Sequence, residues 1–412
     1  MRRVLLAGAS AVAVLLVPTV FATDAAASPA VVCGQTVTHD VSLSQDLLNC
    51  PGDGLEVGAS HITIDLDGHA IDGVNAAGSV GVNDNGHSDV VVKNGSVRDF
   101  FDYGVALQSA PHSSAQNLTV TRIGAGGVAG DASAGILVQN SPWSTVTANT
   151  VSNNVSAYQS DGVDVLSSAH AVVTGNTVVR NAWDGMFVLQ SPDSTVDSNQ
   201  LNNNMNNGVE INSGSDGVVV TGNHANKNVG DGIVAGAISQ ARISGNTLTG
   251  NGDTGLFLFD LLNSIVSGNC LTGNGIGLDL AFGQNGSTGN TISHNNASTN
   301  VAGIVVDHAS HNIVAGNVTN ANTGAPGQGG GVIVIGATDN TLTGNVATHN
   351  LGVGIGVLDD VPGDSAGNRL GHNVANYNAA HGIDVVAGTI NAGGNSAHHN
   401  TPLPNCVGIT CS

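Results

Sequence analysis

A Gly-Asn dipeptide with a second Asn five residues further on returns along most of this 412-residue chain, and it constrains the fold more than any other feature. The pairs are Asn149 and Asn154, Asn176 and Asn181, Asn199 and Asn204, Asn223 and Asn228, Asn246 and Asn251, Asn269 and Asn274, Asn290 and Asn295, Asn317 and Asn322, Asn345 and Asn350, Asn373 and Asn378, and Asn395 and Asn400, the leading Gly being replaced in a few. Between them lies a second element, Gly-apolar-X-apolar, starting at Gly135, Gly162, Gly185, Gly208, Gly232, Gly255, Gly277, Gly303, Gly331, Gly354 and Gly382, mostly at steps of 22 to 28 residues. Alternation after each Gly points one set inward: Val163 and Val165, Met186 and Val188, Val209 and Ile211, Leu256 and Leu258, Ile304 and Val306. A second inward column, three residues before the first Asn, contains Val146, Val173, Val196, Val220, Ile243, Val266, Val314, Leu342 and Leu370.

No stretch is periodic at 3.6 residues, so a helical solenoid is excluded and each repeat is built of strands and turns. Asn tolerates the left-handed backbone, and identical amides stacked along an axis exchange hydrogen bonds, which predicts Asn at two turn positions of every coil. The expected fold is all-β: a single-domain parallel β-helix of about twelve coils of roughly 23 residues, a rod roughly 55 to 60 Å long. Aromatic residues at 3% suffice, because stacked aliphatic side chains fill so narrow an interior.

On these repeats the chain resembles the right-handed parallel β-helix proteins of the pectate-lyase-like superfamily exported by many bacteria. Cys33, the Leu43 to Leu48 stretch, Cys50 and Ile62-Thr63-Ile64-Asp65-Leu66-Asp67-Gly68-His69 are similar to the N-terminal cap and first coil of such proteins. The resemblance implies polysaccharide lyases, pectin-type glycoside hydrolases, uronan epimerases and periplasmic copper-site assembly proteins as relatives. Of the pectin-hydrolase motifs only Asp359-Asp360 has a counterpart; the epimerase Asp-Pro-His is absent, with Asp161-Gly162-Val163-Asp164 nearest in position.

Residues 1–27 read as an export signal: Met1-Arg2-Arg3, an apolar run from Val4 to Phe21 broken by Pro18, then cleavage near Ala27. No second apolar stretch of spanning length follows, so membrane insertion is not expected. Residues 28–60 are then the cap, 61–400 the β-helix and 401–412 a C-terminal tail. In an oxidising compartment the pairs close in sequence, Cys33 with Cys50 and Cys406 with Cys411, read as staples on the two ends, and Cys270 is left over or pairs with one of the others. Removing Arg2, Arg3 and Asp24 with the signal leaves 7 basic and 29 acidic residues, a formal charge of −22. Such a surface repels nucleic acid and anionic lipid, and repels polyuronates unless cations bridge the two.

The second position after each Gly faces outward. In successive coils it reads Asp164, Phe187, Glu210, while the residue before Gly reads Asp161, Asp184, Asn207, Asp231. Carboxylates one coil apart would lie near 5 Å and two coils apart near 9.5 Å, the separations used by retaining and inverting glycosidases. Crowding raises some of their pKa values, as a general acid requires. Asp161, Asp164, Asp184 and Glu210 are therefore the candidate catalytic residues, with Arg180, Trp183 and Phe187 to hold a sugar. The same hard oxygen ligands suit calcium, and Asp-Gly is also ordinary turn chemistry.

Further outward residues form an apolar strip, Leu166, Leu189, Phe257, Phe259, Val305, Ile333, Ile335 and Leu358, to be covered by loops such as 322–330. The histidine pairs His308 with His311 and His398 with His399 lack accompanying Cys or Met and read as surface residues, as do His294 and His349 in a turn slot shared with Arg180 and Lys227. The reading is a secreted β-helix that engages polysaccharide or cell-wall glycan and cleaves it as a hydrolase, lyase or epimerase; its alternative is a non-catalytic scaffold or adhesin-like binding rod, favoured by the regularity of the coils.

Overall fold

The computed structural model describes residues 30–124, 133–155, 160–284, 286–325 and 329–412; the expected signal segment lies outside them. Val31–Ser412 form one compact unit, an all-β parallel helix in which each coil contributes one strand to a long sixteen-stranded sheet and shorter strands to the remaining faces. One coil shows the plan: strand Ser160–Leu166 in the long sheet, a turn, strand Val172–Thr174, the Gly175-Asn176 corner, strand Thr177–Val179, the Arg180-Asn181 corner, and the long sheet again at Met186–Leu189. Every neighbouring pair in the long sheet is parallel and in register, as in Val163 to Met186 to Val209.

The expected count of about twelve coils is corrected to sixteen strands in the long sheet. The first coils, from Gln35–Val37 onward, lack the Gly-Asn signature but pair in the same way, Gln35 with Leu55 and Leu55 with Val82. Fifteen strand steps make the ladder about 72 Å long. Both inward columns lie where alternation put them: Val163, Val165, Met186, Val188, Val209 and Ile211, with Val146, Val173, Val196 and Val220, are buried in one continuous core. The Gly before each inward residue marks a close approach of backbone, since a Cβ on Gly162 would stand 2.5 Å from the Gly185 carbonyl oxygen.

The reason for Asn at the corners is half of what the sequence suggested. Left-handed backbone falls on the residue before each ladder Asn, Gly175 (φ 65°) before Asn176 and Arg180 (φ 57°) before Asn181. The Asn side chains point inward and are buried. Asn199 is typical: its Nδ2 donates to Val173 O and Asn223 Oδ1, and its Oδ1 accepts from the backbone N and Nδ2 of Asn176, all at 2.9–3.0 Å. One ladder runs from Asn149 to Asn395 and a second from Asn154 to Asn400. In one coil the pairing shifts from the sequence reading. Asn295 and Asn300 join the two ladders, whereas Asn290 follows Ser264 in a third, shorter stack with Asn312 and Asn340. Hydrogen bonds between coils decide the register there, not the Gly-Asn spelling.

The disulfides Cys33–Cys50 and Cys406–Cys411 form as expected, one at each end, and Cys270 is free. The slot holding Arg180, Lys227 and His349 is exposed, as read from sequence.

Replacing Asn199 by Ala should lower unfolding stability by about 2–4 kcal/mol, because four buried amide bonds lose their partner. The exposed neighbour Gln200→Ala should change it by less than about 0.5 kcal/mol. Denaturant melts of the two variants check this, and equal losses would discount the ladder.

Candidate functional site

The outward face of the long sheet carries the chemistry, and register decides what meets there. One outward column runs Leu137, Asp164, Phe187, Glu210, Val234, Phe257, Asp279, Val305, Ile333. Asp164 and Glu210 are therefore two strand steps apart, about 9.6 Å between backbones, with the half-buried ring of Phe187 on the strand between them. Beside them, in the column before the Gly residues, the Asp161 carboxylate accepts the Asp184 N–H (2.8 Å), and Asp184 in turn accepts the N–H of Asn207 (2.8 Å) and the Asn206 amide (2.9 Å). Asn207 continues the same stack by accepting the Asp231 N–H at 2.9 Å.

The structure thus brings Asp161, Asp164, Asp184, Glu210 and Phe187 together. It also sinks three of the acids: Asp161, Asp164 and Asp184 are 8%, 6% and 1% exposed. Burial pushes all three carboxyls up. Asp161 rises well above the carboxylate range, reinforced by Asp164; Asp164 rises to about 7, with Asp184 adding repulsion; and Asp184 rises to about 8, reinforced by Asp161. Among the described residues Asp164 Oδ1 has no hydrogen-bond partner. Glu210 is half-buried, its carboxylate held by the amides of Asn207 (3.2 Å) and Asn212 (2.8 Å).

One of the sugar-holding candidates, Arg180, points away from this cluster. Arg180 occupies the left-handed corner slot, where its Nε donates to Asn153 Oδ1 at 3.1 Å, and among the described residues no ion pair joins it to the four acids. Trp183 precedes Asp184 and is 38% exposed. Residues 125–132, between Gly104 and Gly135, lie outside the described residues.

Four coils further along, the same face turns apolar. The expected strip is half-buried, and Ile276, Ala302, Val305, Ile333, Ile335 and Leu358 line a cavity of about 430 Å³. Residues 326–328, in the loop expected to cover it, lie outside the described residues. Asp279, between Phe257 and Val305, was missed by sequence reading, although its place in Gly277-Leu278-Asp279-Leu280 is the outward slot already used to find Asp164. Burial raises its carboxyl to about 7, helped by Asp307 and Asp231, and its Oδ1 has no partner among the described residues. At the border of this zone His308 Nδ1 bonds Asp307 Oδ1 at 2.6 Å, and the Asp360 and Asp364 carboxylates converge on the same imidazole. His311 is not its partner; it faces Asp339 at 3.6 Å.

Residues 127–288 and 280–401 match the profile of a family described as Periplasmic copper-binding protein (NosD), and residues 45–182 that described as Right handed beta helix region. No curated protein sequence matches. Among solved structures the chain is similar to the Dettilon tailspike protein (14% identity, TM-score 0.49, 86% of this chain and 63% of that one). It is also similar to the GH87 α-1,3-glucanase of Streptomyces thermodiastaticus (13%, 0.48, 89% and 62%) and the periplasmic alginate epimerase AlgG (14%, 0.42, 77% of each). The chain thus spans less than two thirds of the length of the tailspike and glucanase chains, and these likenesses concern the fold.

Because Asp164 and Asp184 are raised, the folded protein holds more protons than the unfolded chain between the ordinary carboxylate range and about pH 8, so stability falls as pH rises through that window. Asp184→Asn keeps the acceptor, as Asn207 does one coil on, and removes the charge. It should raise Tm at pH 8 by roughly 2–4 °C and leave Tm unchanged at pH 3, where Asp184 is neutral in both states. Calorimetry at the two pH values checks this; a lower Tm at pH 8 would count against the burial argument.

Proposed function

The chain belongs to the periplasmic copper-binding protein (NosD) family of right-handed β-helix proteins, and from that premise we propose that it is an exported rod that engages polysaccharide on the outward face of its long sheet, with the carboxyl cluster as its cleavage centre. The observation that carries this reading is the arrangement Asp164, Phe187, Glu210: a carboxyl raised to about 7, a ring, and a half-buried carboxylate on three consecutive strands. Asp164 serves as the general acid toward a glycosidic oxygen, and Phe187 is the floor under the sugar. Glu210, two strands away, activates water at the wider spacing of inverting enzymes. Asp184 helps burial keep Asp164 protonated through like-charge repulsion. Disulfides at both ends support an oxidising, exported setting; among the described residues no helix is long and apolar enough to cross a membrane.

The depth of Asp161, Asp164 and Asp184 favours a second reading, a non-catalytic glycan-binding rod in which Asp161 and Asp184 serve as backbone acceptors between coils. Neither reading routes a step through copper. Among the described residues no sulfur-rich site exists: Met186 is in the core, Met205 is exposed and alone, and Cys270 stands between Thr247 and Asn296 in its column.

Incubation with a panel of neutral and uronic polysaccharides, with and without calcium, separates the two. Cleavage should release reducing ends, fall as pH rises through about 7, and drop roughly 100-fold or more in Asp164→Asn and Glu210→Gln. Turnover undiminished in both variants would remove these residues from the chemistry. No product on any glycan, with retention on one of them, would leave the binding rod.

A further inference from the structure

Strands Ala302–Asp307, Gly330–Ile335 and Val353–Leu358 are consecutive in the long sheet, and Asp307, Ile335 and Leu358 stack as one outward column. Ile335 and Leu358 are walls of the apolar cavity. The residues that follow them at the turn are His308, Gly336 and Asp359. His308 and Gly336 both have left-handed backbone, φ 51° and 57°, and the middle coil has no side chain there: a Cβ on Gly336 would lie 2.5 Å from His308 Nε2. The imidazole therefore lies across Gly336 and reaches the third coil, where Nε2 comes to 3.7 Å from Asp360 Oδ2. At that separation the two atoms are not hydrogen-bonded.

The group is held from both sides. His308 Nδ1 bonds Asp307 Oδ1 at 2.6 Å, which orients the ring and leaves Nε2 directed at the carboxylates, the carboxylate–histidine arrangement found behind metal-ligating imidazoles. Asp364 accepts the backbone N–H of Val361 (2.7 Å) and Asp360 (3.2 Å), and Asp359 accepts those of Gly363 (2.9 Å) and Ser365 (3.1 Å), so the loop carrying both acids is folded on itself. One ligand atom from each of His308, Asp360 and Asp364 falls within 4.8 Å of the others. Among the described residues no other group of three His, Cys, Asp or Glu side chains converges in this way; His112, Trp143 and His170 stack ring on ring, as do His349, Tyr377 and His399.

We propose that His308 Nε2, Asp360 and Asp364 bind a divalent transition-metal ion, Cu(II) or Zn(II), at the rim of the apolar cavity. The imidazole favours these ions over calcium, and the absence of sulfur from the set disfavours Cu(I). Three protein ligands leave a coordination position for a water or other small ligand. The site uses different coils from the carboxyl cluster and stands whether or not that cluster cleaves glycan.

The test is titration of the chelator-stripped full chain with Cu(II), followed by calorimetry and electron paramagnetic resonance, and separately with Zn(II). The wild type should bind one equivalent most tightly, with the copper signal coupled to a single imidazole nitrogen. His308→Ala should abolish that equivalent. Asp360→Asn and Asp307→Asn should each weaken it by about tenfold or more, while His311→Ala and a tenfold excess of Ca²⁺ leave it in place. Matching thermal melts of the metal-free variants exclude unfolding as the cause. An unchanged tight equivalent and spectrum in His308→Ala, or no equivalent in the wild type tighter than those surviving in that variant, would overturn the assignment.

Discussion

The fold depends on the buried asparagine ladders. A solenoid core of aliphatic side chains is non-directional and tolerates sliding of one coil over the next; an amide that donates twice and accepts twice does not. Asn199 exhausts its hydrogen-bonding capacity on neighbouring coils, three side-chain bonds to the coil before it and one to the coil after. Buried groups of this kind are costly to leave unmade, so each coil is locked to the next at strand spacing. The corners are tight enough for this only because the preceding residue takes the left-handed backbone, which is why Gly holds that slot so often.

Once register is locked, outward side chains stack as strictly as inward ones, and the outer face becomes a set of columns in which each residue meets its equivalents one strand away. Most outward positions next to one another are amides, hydroxyls or aliphatics. Where acids coincide, at Asp161, Asp164 and Asp184, charge and burial together keep protons on carboxyls that would otherwise lose them. Asp279 reaches a similar state chiefly through burial in its apolar surroundings. Reactive character on this rod therefore arises from departures from the repeat, at coils where a polar residue enters a column that is elsewhere apolar.

Legibility followed the same division. The inward columns, the end staples and the all-parallel fold were readable because each is a periodic property, and a pattern repeated many times overrides local ambiguity. Asp161, Asp164, Asp184 and Glu210 were readable as neighbours for that reason too. Their depth was not, since exposure depends on what lies over a column. Arg180 was grouped with the acids by closeness in sequence, yet the corner between them turns it to Asn153. His308 was weighed against His311, three residues away, whereas its partners are Asp307 and two acids more than fifty residues on.

By itself the sequence determined that this chain is a stack of parallel coils with an aliphatic interior, asparagine corners and outward acids in adjacent rows, because spacing alone carries that information. Tertiary structure decided how many coils there are, that Asn295 rather than Asn290 continues the ladder, which acids are submerged, and that an imidazole crosses a glycine to meet two carboxylates. The reason is that strand pairing accepts any residue that can fill the rung. The first coils lack the motif and still stack; Asn290 has the motif and yet stacks in another column. Only the hydrogen bonds between coils distinguish them.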